Sequence, residues 1–410
     1  MTTSAENKAF EEGSAGVVTP QQVTLFHPPH ELKLEGGSTL GPITIQYETY
    51  GTLNAKKDNA ILICHALSGD AHAAGRHSAD DPDAGWWDVA IGPGKAFDTS
   101  QYFVICPNFL GGCKGTTGSL SINPRTGRPY GTSFPMITIR DMVVCQKALI
   151  DHLGIPKLLS VSGGSMGGMQ ALEWAVSFPD AVESVIPIAS THRLSAQGIA
   201  FNEVGRQAIF ADPNWNTGDY YGGPPPDAGL ALARMIGHIT YLSEKAMHRK
   251  FGRALRHRDR YAYNFETEFQ VESYLHHQGK KFIQRFDANT YLYITKAMDY
   301  FDLAAGFSSL RVSLKRAKAK FLLIAFSSDW LFPPPEMKEI ANALRSNGSD
   351  VTFLTIQSDY GHDAFLLETE EITKVIRPFL KFLRLTHERP PHARSHPEAG
   401  TGANAGGAVL

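Results

Sequence analysis

The segment Gly163-Gly164-Ser165-Met166-Gly167 sets a serine among small residues, directly after the apolar run 158–161 and directly before a helical stretch. So tight a turn forces the serine into strained backbone angles, and Gly163 and Gly167 provide the room. Its hydroxyl then stands at a helix N-terminus, where free N–H groups favour negative charge. A hydroxyl becomes a nucleophile when a base takes its proton and an acid orients that base. In a strand–turn–helix setting of this kind the acid and then the base follow the serine in the chain, each after a later strand. Asp329 follows the run Lys320–Phe326, and His362 follows Val351–Ile356. Ser165, Asp329 and His362 are therefore read as a catalytic triad for acyl transfer, with Asp359 as the second choice of acid.

Acyl transfer also needs donors aimed at the developing oxyanion. The backbone N–H of Met166, next to the nucleophile, is one. The other is expected from His65-Ala66-Leu67-Ser68-Gly69, after the run Ala60–Cys64, with Leu67 as donor and His65 supporting the backbone. A second glycine-rich segment, 111–118, lacks the terminal Gly-Lys-Ser/Thr of a phosphate loop and is read as a tight loop near the site. Cys113 within it has no identifiable base and reads as an ordinary thiol.

The elements that must hold these groups are short apolar runs at Ala60–Cys64, 102–106, 158–161, 182–189, Lys320–Phe326 and Val351–Ile356, with helices between several of them. One helix is expected at 167–178, where Met169, Leu172 and Val176 recur at helical spacing before Pro179. Such alternation indicates a mostly parallel sheet covered on both faces, the α/β-hydrolase fold. Ahead of it, Ile43, Ile45 and Tyr47 alternate with Thr44, Gln46 and Glu48, the period of a half-buried antiparallel strand. The expected core is residues 21–189 and 310–386, interrupted by a helical lid insertion at 190–309 with helices near 197–209, 229–243 and 268–278. Residues 1–20 and 387–410 are expected to be disordered tails; the second is rich in Pro, Gly, Ala and His.

Hydrophobic content of 42% against 20% charged residues is that of a globular protein, and a net charge of −2 comes from 39 basic and 41 acidic residues spread along the chain. No like-charged block points to nucleic acid or a membrane surface. The basic stretch 253–260 reads as a solvated face, with contact to anionic cofactor phosphates as the second reading. Four cysteines, without a CxxC pair or metal spacing, suggest a reducing compartment and no metal centre. With no apolar leader in residues 1–13 and no membrane-length apolar run, a cytoplasmic protein is expected.

From about Phe26 to Leu385 the chain resembles the homoserine O-acyltransferases of methionine biosynthesis, on the homoserine O-acetyltransferase side. The segments that carry the resemblance include His65-Ala66-Leu67-Ser68-Gly69-Asp70, Gly85-Trp86-Trp87-Asp88, Gly163-Gly164-Ser165-Met166-Gly167-Gly168-Met169-Gln170, Phe286-Asp287-Ala288-Asn289 and Gly361-His362-Asp363-Ala364-Phe365. The resemblance implies ping-pong transfer of an acyl group from a CoA thioester to the γ-hydroxyl of L-homoserine, with the triad on Ser165, Asp329 and His362. It implies Arg234 as partner of the substrate carboxylate and Asp363 as partner of its amino group. In the family, the residue two after the catalytic Asp tracks the donor, an Arg there going with succinyl-CoA. Here it is Leu331, which offers a succinyl carboxylate no partner, so acetyl-CoA is the expected co-substrate. No permanently bound cofactor is expected, and the resemblance suggests a homodimer through the lid helices. Succinyl transfer, transfer to serine, an esterase and a non-catalytic binding protein on the same fold are the competing readings.

Overall fold

A computed structural model describes residues 12–388 of the 410-residue chain. Among the described residues ten strands form: β1 (Gln21–Leu25), β2 (Leu32–Lys33), β3 (Thr39–Leu40), β4 (Ile43–Tyr50), β5 (Ala60–Cys64), β6 (Phe103–Pro107), β7 (Ser160–Gly164), β8 (Ser184–Ile188), β9 (Lys320–Phe326) and β10 (Val351–Ile356). Eight of them make one sheet in the order β1-β4-β6-β5-β7-β8-β9-β10, and β2 and β3 form a separate hairpin. Neighbours from β6 through β10 pair in parallel, while β4 runs antiparallel to β1 and β6. Strands β5, β7 and β8 are buried along their whole length, as expected of parallel strands covered on both faces.

Eleven α-helices among the described residues accompany the sheet: α1 (Ile139–His152), α2 (Met166–Ser177), α3 (Ala196–Phe210), α4 (Asp227–Tyr241), α5 (Glu244–Phe251), α6 (Gln270–Ile283), α7 (Ala288–Tyr300), α8 (Leu310–Leu314), α9 (Pro334–Ser346), α10 (Ala364–Leu367) and α11 (Thr369–Glu388). One core cluster joins α1, α2 and α9 to one face of the sheet through Met142, Leu172, Trp174 and Ile340. The other face packs on Trp87, Phe97 and the α11 stripe Ile372, Ile376, Leu380 and Leu383, at the spacing of one helical face. Helices α3 to α8 lie between β8 and β9. Helices α3, α4 and α6 of this insertion share an apolar cluster around Ile209, Leu230, Ala233 and Phe282.

Two boundaries differ from the sequence expectation. Within the N-terminal stretch 1–20, the described residues from Glu12 are held: Val18 is buried and its N–H donates to the Arg76 carbonyl at 2.8 Å. A polar composition hid that anchor, which depends on one apolar side chain and a remote backbone partner; residues 1–11 lie outside the described residues. At the other end α11 continues to Glu388, past the expected tail boundary at 387, and residues 389–410 lie outside the described residues. Strand β7 also starts later and runs further than the apolar run 158–161, through Ser162 and two glycines. There the ladders to β5 and β8 on both sides impose the extended backbone, not side-chain hydrophobicity. Among the described residues no helix is long and apolar enough to cross a membrane.

Candidate active site

Ser165 is the single residue between β7 and α2, at φ 58° and ψ −124°. Such a backbone costs a non-glycine residue about 1–3 kcal/mol and persists only when its surroundings hold it. They do: the Ser165 N–H donates to the Ile188 carbonyl at 2.9 Å, and the Ser190 hydroxyl donates to the Ser165 carbonyl at 2.8 Å. The flanking glycines answer to close approach of β5. A Cβ on Gly163 would lie 2.4 Å from the Cys64 carbonyl oxygen, and one on Gly167 only 2.0 Å from the same atom.

The chain brings Ser165, His362 and Asp329 together from three separate loops. His362 Nε2 lies 2.8 Å from Ser165 Oγ, and His362 Nδ1 lies 2.8 Å from Asp329 Oδ2. The other Asp329 oxygen accepts from the N–H groups of Leu331 and Phe332 at 3.0 and 2.9 Å, which fixes the carboxylate plane. All three side chains are buried. Burial disfavours the imidazolium form of His362, but the charge and hydrogen bond of Asp329, with the charge of Asp363, outweigh it and raise the pKa. Asp359, the alternative acid, is engaged elsewhere: its Oδ2 pairs with Lys245 at 2.9 Å and Arg249 at 2.6 Å, both on α5.

A narrow cavity of about 50 Å³ opens on Ser165, with Leu67, Leu194, Phe201, Leu331 and Phe332 among its walls. Leu67 thus stands beside Ser165, and Met166 begins α2, where the first N–H groups have no intrahelical acceptor. The loop that carries Leu67 is braced from beneath. The His65 ring bridges the Ala66 carbonyl and the Asn108 side chain at 2.9 and 3.1 Å and stacks on Phe109. Asn108 in turn donates to Lys114 O in the glycine-rich loop, which gives that loop a structural role. Cys113 is half-buried, and its thiol is pushed up to about 11, chiefly by burial. Such a group is a poor nucleophile.

Arg234 and Asp363 both fall at this site. The Arg234 guanidinium lies over the rings of Phe282 and Tyr241, with its carbon 4.6 and 5.5 Å from their centroids. Its buried Nη1 has no hydrogen-bond partner. Asp363 follows His362 directly; burial raises its carboxyl pKa against the charges of His362 and Arg234. Nearby His238 is pushed down to about 3, first by burial and then by the Arg234 charge.

Three contributors escaped the sequence reading. Arg285, desolvated and next to Arg234, donates to the Ser68 carbonyl at 2.8 Å and so holds the Leu67 loop. Tyr241 lines the Ser165 cavity from the end of α4. Trp330 donates its indole N–H to the Leu242 carbonyl. Only Arg285 had a signal, lying beside the segment Phe286-Asp287-Ala288-Asn289; for the other two, spacing carried none.

Residues 59–369 match the α/β-hydrolase fold family. The chain is 60% identical over 355 residues to a homoserine O-acetyltransferase of Methanohalobium evestigatum, covering 87% of this chain and 72% of that protein. It is 55% identical over 379 residues to a homoserine O-acetyltransferase of Desulfotalea psychrophila, covering 92% and 97%. Among solved structures, homoserine O-acetyltransferase from Bacillus anthracis superposes with a TM-score of 0.83 at 34% identity, over 89% of this chain and 98% of that one. Esterase E22 superposes with a TM-score of 0.82, also at 34% identity, over 89% and 100%. With a serine elbow, a hydrogen-bonded Ser–His–Asp relay and this degree of identity along most of its length, the chain belongs to the homoserine O-acetyltransferase family of α/β-hydrolase-fold enzymes.

Proposed function

We propose that the protein transfers an acetyl group from acetyl-CoA to the γ-hydroxyl of L-homoserine through an acetyl-enzyme on Ser165. His362 Nε2 takes the Ser165 proton as Oγ attacks the thioester carbon, and the Met166 and Leu67 N–H groups receive the oxyanion. Collapse releases CoA, whose thiolate takes the proton back from His362. L-homoserine then enters with its carboxylate on Arg234 and its ammonium toward Asp363. His362 removes the γ-hydroxyl proton, the alkoxide attacks the acetyl-enzyme, and the proton returns to Ser165 as O-acetyl-L-homoserine leaves. Asp329 stays ionised and stabilises the imidazolium in both halves.

The observation that carries the acceptor is the Arg234 guanidinium, with a buried Nη1 that lacks a partner. A buried donor left unmade costs roughly 1–3 kcal/mol, and a substrate carboxylate would satisfy it. For the donor, Leu331 contributes an apolar wall beside Ser165, and the residues lining that cavity include no Lys or Arg. An acetyl group fits such a wall; a succinyl carboxylate would be buried there without a cationic partner.

The likeness to esterase E22 favours a second reading, hydrolysis by the same relay. Transfer prevails where water is kept out and the amino alcohol is held at high effective concentration. The decisive experiment crosses acetyl-CoA and succinyl-CoA with L-homoserine, L-serine and water. O-acetyl-L-homoserine as the main product supports the proposal; free acetate as the main product with homoserine present sinks it. A CoA thioester as donor fits a cytoplasmic enzyme, in line with free thiols at Cys64, Cys106, Cys113 and Cys145. The exposed apolar side chains Val204 on α3 with Leu232 and Ile239 on α4 suit pairing of two copies through the lid, which sedimentation would detect as a dimer.

A further inference from the structure

Away from the serine, Glu48 of β4 meets His72 and His77, two side chains of the segment that follows the Leu67 loop. Glu48 Oε2 lies 2.9 Å from His72 Nδ1, and Glu48 Oε1 lies 2.7 Å from His77 Nε2. One ligand atom from each of the three residues falls within 4.8 Å of the others. In the sequence only the His72–His77 pair, with four residues between, is visible; Glu48 comes from a strand far back in the chain, so the full set is not.

Glu48 is completely buried, at 0% exposure, whereas His77 is 44% exposed on its side chain. A buried carboxylate needs compensation, and the Tyr50 hydroxyl already donates to Glu48 at 2.9 Å. One imidazolium would complete the neutralisation. A second imidazole on the same carboxylate exceeds what an ion pair requires and sets two ring nitrogens and one carboxylate within 4.8 Å of one another. That is a donor set of the kind that binds zinc with water in a remaining position. The exposed edge of His77 supplies a route from solvent.

We propose that Glu48, His72 and His77 form a site for a divalent transition-metal ion of the zinc class, separate from the acyl-transfer site. Each ring binds as a neutral imidazole through the nitrogen now facing Glu48: an imidazolium gives that proton to solvent, and a neutral ring carries its one proton on the other nitrogen, so charge and protons balance. Glu48 keeps its Tyr50 hydrogen bond. An occupant would pin the turn from Asp70 to His77 onto β4. That turn already depends on β4's last residue, since the Ala73 N–H donates to Tyr50 Oη at 2.8 Å. The ion's role is therefore to stiffen the segment behind the Leu67 loop, with no part in the reaction.

The test uses the full, untagged chain freed of metal and titrated with Co²⁺ as the probe. The expected result is a visible d–d spectrum that saturates at one equivalent, is displaced by Zn²⁺, and is absent in His77→Ala. His362→Ala should keep the spectrum. Zn²⁺ should raise the melting temperature of the wild type and leave that of His77→Ala unchanged. Because His77 is near the surface, His77→Ala should fold and retain acetyl transfer, so loss of the spectrum there reports the site. No saturable spectrum at one equivalent overturns the proposal. So does a spectrum that survives in His77→Ala, or one lost only in His362→Ala.

Discussion

The indole N–H of Trp330 donates to the carbonyl of Leu242 at 2.9 Å, joining the residue after Asp329 to the residue that directly follows α4. Two further contacts tighten the same junction. The Ser243 hydroxyl donates to the Asp359 carbonyl, and a Cβ on Gly361 would lie 2.4 Å from the Ser243 nitrogen. The insertion is thus fastened directly to the two loops that carry Asp329 and His362. Since α4 also carries Arg234 and Tyr241, these two side chains and the Ser165–His362–Asp329 hydrogen-bonded chain share one anchor.

Trp330→Phe keeps an aromatic side chain and removes the donor. The Leu242 carbonyl then loses a buried partner, at a cost of about 1–3 kcal/mol. The expected outcome is a lower melting temperature and a larger share of acetyl-enzyme lost to water when homoserine is supplied. Thermal unfolding and the ratio of acetate to O-acetyl-homoserine check it; an unchanged ratio would show that the junction does not position the acceptor.

The pH dependence follows from His362. It must be neutral to accept the Ser165 proton, and its pKa is raised because the Asp329 and Asp363 interactions outweigh burial. Activity should therefore be lost as pH falls through a value above the ordinary histidine pKa of about 6.5. Asp363→Asn removes one of the anions, so the limb should move to lower pH. The profile of kcat/KM for acetyl-CoA reads this on the free enzyme and does not require the acceptor. A limb at the same pH in wild type and Asp363→Asn contradicts the assignment.

Arg234→Gln should weaken homoserine binding while leaving the formation of acetyl-enzyme intact. Losing a charge-assisted hydrogen bond of about 1.5–3 kcal/mol corresponds to a KM for homoserine raised roughly ten- to a hundredfold. Arg234→Lys should recover only part of it, because an ammonium cannot reproduce the planar fork. Steady-state kinetics with homoserine varied, beside a burst assay of CoA release, separates the two half-reactions. Equal losses in both would argue for a general structural role.

Leu331→Arg should move donor preference toward succinyl-CoA, since the new guanidinium would face the Ser165 cavity where Leu331 now forms a wall. The readout is the ratio of kcat/KM for succinyl-CoA to that for acetyl-CoA, expected to rise by at least about tenfold for one well-placed ion pair. A ratio that stays put would mean that the acyl group does not lie against Leu331.

The order Ser165, Asp329, His362 was legible in the chain because each sits just past an apolar run, and a parallel sheet gathers such ends along one edge. Local physics is enough there: strand runs, glycines and a helix start lie within a few residues of the serine. Leu67 was legible for the same reason, as the loop after β5. The roles of Arg234 and Asp363 came from resemblance, because an Arg on a helix carries no sign of what it faces. Spacing also missed the first held residues, where Val18 is fixed by a bond to Arg76.

What the sequence by itself determined is therefore the parallel part of the sheet, the serine elbow and the order in which an acid and a histidine follow the serine, all encoded in local periodicity and turn chemistry. Only the tertiary structure decided that Asp359 pairs with α5 and leaves Asp329 to His362. It also decided that Trp330 ties the insertion to the relay, that Arg285 holds Ser68, and that Glu48 meets His72 and His77. Each of these joins residues far apart in the chain. Their meeting depends on how the helices pack over the sheet, and no local pattern of residues records that packing.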